Sequence, residues 1–144
     1  MEKYTTMKKT IFIAAIVALV AGGSCLFYHL YNRNEVKKEM LTVVATVNKS
    51  APIEINDFVL IDSAAVLGNN MFLYYCSMWT IEKKDISVGT IERYMLPEIL
   101  REARGDLMAA YLKKNKITLC YRFSDKNGEH IHDFYISPAD LDEK

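Results

Sequence analysis

The chain predicts an α+β architecture: a two-layer domain with an antiparallel four-stranded sheet of two β-hairpins, packed by helices on one face and preceded by a transmembrane helix. Three observations carry this expectation. Residues 11–28 are eighteen positions without a charge, following Lys8-Lys9 and closed by the polar run Asn32-Arg33-Asn34-Glu35. Two blocks rich in β-branched and aromatic residues, 53–81 and 117–136, each contain a turn signal. Between them, 91–112 carries apolar residues at helical spacing.

A helix rises about 1.5 Å per residue, so the uncharged run spans roughly 27 Å, close to the hydrocarbon thickness of a bilayer. Adding His29, Leu30 and Tyr31 extends it to the far interface, where Tyr28 and Tyr31 suit an aromatic anchor. The reading is a ten-residue tail (1–10), a membrane-spanning signal anchor (11–31) and one small domain (32–144). Lys3, Lys8 and Lys9 before the span balance Arg33, Lys37 and Lys38 after it. The short basic tail favours the cytoplasmic side, which places the domain outside a single-pass inner membrane protein. A cleaved signal peptide, or a lipoprotein modified at Cys25 in Gly-Gly-Ser-Cys, are the alternatives.

Beyond the span, Val36, Met40, Val43, Val44 and Val47 fall on one helical face, and Pro52 closes the segment. Ile53 to Val66 reads as a strand with a bulge near Asp57-Phe58. Leu67-Gly68-Asn69-Asn70 turns the chain, and Met71 to Ile81 returns as an aromatic strand, apolar on both faces and hence central. Thr90 caps a helix from Ile91, which Pro97 and Gly105 interrupt, giving two helical segments. Ile117 to Ser124 alternates apolar and polar residues. Asp125-Lys126-Asn127-Gly128 is a hairpin turn, and Glu129 to Ile136 is the returning strand. Ser137-Pro138-Ala139-Asp140 has the order of a helix start.

Composition excludes more than it identifies. Residues 32–144 hold fifteen of the 18 Lys and Arg and seventeen of the 18 Asp and Glu, the others being Lys3, Lys8, Lys9 and Glu2. A near-neutral balance argues against nucleic acid as a partner. Cys76 and Cys120 read as small buried hydrophobes that outside the cytoplasm can also form a disulfide. No phosphate loop, nucleophile elbow, Cys-x-x-Cys or His-Glu-x-x-His occurs, so no cofactor and no catalytic residue is assigned.

Two constellations remain. His130 and His132, two apart on a strand, share a face under strict alternation and can hold a metal; Asp133 then faces the other way. Tyr74, Tyr75, Trp79, Tyr121 and Tyr135 form an aromatic set on strands, suited either to core packing or to a partner surface.

Ile117 to Asp140, with its tyrosine-rich strand and Asp-x-x-Gly turn, resembles the closing hairpin of small exported bacterial envelope proteins, and the sheet-plus-helix pattern is similar to that of the pilotin lipoproteins of type II secretion. The resemblance implies a bacterial envelope setting and a non-catalytic role. The resulting expectation is a single-pass envelope protein whose domain binds another protein. The alternatives are an exported metal- or small-ligand-binding protein and a small hydrolase.

Overall fold

The computed structural model describes residues 32–142. The sheet and the helix residues that pack on it belong to one compact unit that begins at Val36. Helix α1 runs through 32–50. It is followed by β1 (Ile53–Asn56), β2 (Val59–Leu67) and β3 (Met71–Met78), then α2 (Val88–Tyr94), α3 (Leu96–Ala103) and α4 (Asp106–Asn115), then β4 (Thr118–Asp125) and β5 (His130–Ile136). Short 3-10 turns at Lys83–Asp85 and Pro138–Leu141 complete the order.

The strands form one five-stranded mixed sheet in sequence order. This corrects the expected four-stranded antiparallel sheet of two hairpins in two respects. First, the expected strand 53–66 is itself a hairpin. Asn56 Oδ1 accepts the N–H groups of Phe58 and Val59, both at 3.0 Å, and this side-chain bond reverses the chain where a bulge was expected. Second, β3 and β4 pair in parallel, Met71 opposite Thr118 through Met78 opposite Asp125. The chain between them forms α2–α4, and a helical crossover of that length is what parallel neighbours need.

The expected membrane span, 11–31, lies outside the described residues. No helix among the described residues is long and apolar enough to cross a membrane. The placement as a single-pass inner-membrane protein with a signal anchor is corrected accordingly, having rested on that span alone.

Local chemistry explains the helices. Ser87 Oγ accepts the Thr90 N–H at 3.1 Å, so α2 begins before the expected Thr90 cap. Pro97 sits in the first turn of α3, where its missing N–H costs no helical bond, and Gly105 caps α4. The segment expected as two helices is therefore three. Lys116 takes a left-handed φ of 54° to close α4.

All four helices contribute to one apolar layer on one face of the sheet. Val36 and Met40 of α1, Ile91 of α2, Ile99 and Ala103 of α3 and Leu112 of α4 pack with Phe72, Cys76, Leu119, Phe123, Phe134 and Ile136. Register aligns these strand residues: Phe72 opposes Leu119, which opposes Ile136, and Cys76 opposes Phe123. β1 pairs only with Val59–Ile61, which leaves Ala64 of β2 without a strand neighbour on that side. Asn48 of α1 fills the gap: its Nδ2 donates to the Ala64 carbonyl at 3.0 Å and its Oδ1 accepts the Ala64 N–H at 2.7 Å.

Asp125 locks the opposite end. Its carboxylate is buried and accepts the N–H groups of Lys83 at 3.0 Å and of Asn127 and Glu129 at 2.8 Å. One side chain thus ties the β4–β5 turn to the start of the crossover, and those backbone bonds, led by that from Lys83, lower its pKa. Gly128 supplies the positive φ of 81° that the turn requires.

Cys76 and Cys120 are both free and buried. Cys120 opposes Leu73, three residues from Cys76 along β3, so the two thiols lie on opposite faces of the sheet. The disulfide considered from sequence does not form.

Phe123 is fully buried and meets Phe134 edge-on at 5.6 Å between ring centroids. Phe123→Ala is expected to cost about 3–5 kcal/mol of unfolding free energy in urea titration, the range for emptying such a site.

Candidate functional site

The helices do not cover the sheet evenly. α1 and α4 leave an apolar cleft of about 510 Å³ between them, floored by Phe72, Tyr74 and Leu119 and walled by Met40, Val43, Tyr111, Leu112 and Ile117. The volume lies within the range of ligand-binding clefts. Val43 remains 47% exposed at its mouth.

One polar contact crosses the cleft. Tyr111 of α4 donates its hydroxyl to Glu39 Oε2 of α1 at 2.8 Å. Burial, then the Glu39 carboxylate, pushes the Tyr111 phenol up to about 12. Tyr74 on the floor stacks on Tyr121, 5.0 Å between centroids, and burial raises the pKa of both phenols. These rings act at neutral pH as apolar surface with a neutral hydroxyl.

The five aromatic residues singled out from sequence do not converge. Tyr74 and Tyr121 lie on the helix-covered face, and only Tyr74 lines the cleft. Tyr75 and Tyr135 lie on the other face, and Trp79 sits just past the end of β3, half exposed. Of the cleft residues, sequence reasoning selected only Tyr74 as a site residue; Glu39 and Tyr111, which make the polar contact, were not among those selected. Met40 and Val43 were already legible in the spacing of the first helix.

The two histidines do not share a face. A register shift pairs His132 with Phe123 but His130 with Ser124, so the residue between them breaks the alternation. His132 packs edge-on against Phe134 at 4.8 Å, whereas His130 Nε2 lies 2.9 Å from Asp133 Oδ1 on the opposite face. The described residues contain no group of three or more His, Cys, Asp or Glu side chains able to hold a metal ion.

That opposite face carries a polar cluster instead. Arg122 Nε and Nη2 donate to the Asp133 carboxylate at 3.0 and 2.8 Å, and the guanidinium lies 6.0 Å from the centre of the Tyr75 ring. The Arg122 hydrogen bonds, joined by His130, hold the Asp133 carboxyl down to about 2. Through the Arg122–Asp133 pair the cluster fastens β4 to β5.

No protein-family model matches the sequence, and no curated protein matches it. Solved structures similar to it in fold include two pilotins. One is a pilotin of the type 2 secretion system of Vibrio vulnificus, 8% identical, covering 78% of this chain and 96% of that one, with a TM-score of 0.62. The other is the type II secretion pilotin AspS of Vibrio cholerae, 9% identical, covering 78% of this chain and 97% of that one, with a TM-score of 0.60. The fold is similar to that of pilotins. The pilotin likeness expected from the sheet-plus-helix pattern is met as architecture over most of the domain.

Because Asp133 titrates lower folded than unfolded, its contribution is fully present above its ordinary value of 3.8 and is lost as pH falls toward about 2. Urea unfolding of the wild type should weaken across that window. Asp133→Asn should be less stable at pH 7 and show a smaller loss between pH 4 and 2.

Proposed function

We propose that this chain is a non-catalytic, protein-binding component of the bacterial envelope, related in role to secretion pilotins, and that its cleft receives an apolar helical segment of a partner. The observation that carries this reading is the cleft between α1 and α4: apolar floor, apolar walls, an exposed Val43 at the mouth and one polar clasp. An amphipathic helix docks into a groove of this kind by inserting its apolar residues at successive turns. The fold likeness to two type II secretion pilotins supports a binding role over an enzymatic one. The cleft has a single described carboxylate and no base–nucleophile pair, and its tyrosines are held neutral, which suits contact rather than proton transfer.

Leu41 and Val43 give a matched test, since both lie on α1 and both are 47% exposed, but only Val43 lines the cleft. Tagged full-length protein, crosslinked in its native cells, should capture a discrete partner through an apolar helix-forming segment. Val43→Glu should reduce that capture at least tenfold, while Leu41→Glu should leave it close to wild type. Equal effects of the two substitutions would remove the cleft from the account.

A further inference from the structure

The two edges of the sheet are built differently. β1 is four residues long, follows Pro52 and shifts register between Glu54 and Asn56. Short length, proline and irregular pairing blunt an edge against further strands. β5 has none of these guards over most of its length. It is seven residues, His-Ile-His-Asp-Phe-Tyr-Ile, without Pro or Lys, and its outer side has no strand partner among the described residues. Its one irregularity lies at the start, between His130 and His132. The regular stretch is therefore His132–Ile136, with Phe134 at its midpoint.

We propose that this edge pairs with the same edge of a second copy of the chain, antiparallel about a two-fold axis at Phe134. Such an axis, perpendicular to the sheet, sets residues of the same face opposite one another, which restricts the register. Centring the pair on Asp133 would place two carboxylates directly opposite, a destabilising arrangement, and would run into the irregular start of the strand. Centring it on Phe134 places Asp133 opposite Tyr135 of the second copy, and the reverse, while His132 faces Ile136. Tyr135 is 56% exposed, and its hydroxyl already lies 3.4 Å from its own Asp133 carboxylate. In the pair that hydroxyl reaches the carboxylate across the interface. Arg122 on each Asp133 limits repulsion between the two acids on the diagonal. The strand edge alone covers less area than a permanent dimer requires, so association is weak and concentration-dependent.

Sedimentation equilibrium of the full chain tests this. The wild type should show a reversible monomer–dimer equilibrium at concentrations up to about 1 mM. Tyr135→Asp, which sets acid against acid twice, should raise the dissociation constant at least tenfold, whereas Tyr135→Lys, which sets an ammonium against each Asp133, should not raise it. Position 135 is exposed, and circular dichroism verifies that both variants keep their fold. A wild type that stays monomeric would leave the edge to a foreign strand or to none, and would overturn the proposal. A dissociation constant unchanged in Tyr135→Asp would place association elsewhere, the apolar N-terminal run included. Equal weakening by Asp and Lys would contradict the charge argument.

Discussion

The parallel pairing of β3 with β4 is the constraint from which the rest of the domain follows. It joins two segments far apart in sequence over eight consecutive residue pairs, Met71–Met78 with Thr118–Asp125. Without it the chain would be a three-stranded meander and a separate hairpin, each with an unsatisfied edge. With it, Phe72, Tyr74 and Cys76 come into line with Leu119, Tyr121 and Phe123, giving the helices one continuous apolar floor. The fixed ends of the crossover are held by polar contacts. Asp125 grips its start through Lys83, and the Thr118 N–H bonds the Asn70 carbonyl at 2.9 Å where β4 begins.

The cleft is a consequence of how that floor is covered. α2 and α3 come from the crossover itself and bury Ile91, Ile99 and Ala103. α1 arrives from the other direction and is fastened to β2 through Asn48. α1 and α4 therefore belong to different parts of the chain and meet through the Glu39–Tyr111 bond across an apolar gap. Stability requires Met40 and Leu112 to be buried, but it does not require the space above Tyr74 to stay open. That surplus apolar surface is what makes the cleft a functional proposal and not only a packing feature.

What the sequence made legible was local. The β4–β5 hairpin was legible as a hairpin because alternation along β4 and the Asn127-Gly128 turn both act over short range. The apolar face of α1 was equally plain. The β1–β2 turn was read as a bulge because it is made by the Asn56 side chain without glycine or proline. The neighbour of β3 was misjudged because strand adjacency is a non-local property, although a long helical connection between strands is itself a mark of parallel pairing. At the site, the histidine pair depended on strict two-residue alternation, which one irregular residue reverses. Glu39 and Tyr111 stand 72 positions apart, and no spacing rule connects them.

Amide hydrogen exchange on the full chain tests the central pairing most directly, because protection reports which strands open together. The account predicts that the slowest-exchanging amides lie in Met71–Met78 and Thr118–Asp125 and share one opening free energy, with Ile53–Asn56 exchanging faster. Protection that is high in 118–136 but no greater in 71–78 than in 53–56 would show two independent hairpins and contradict the parallel core.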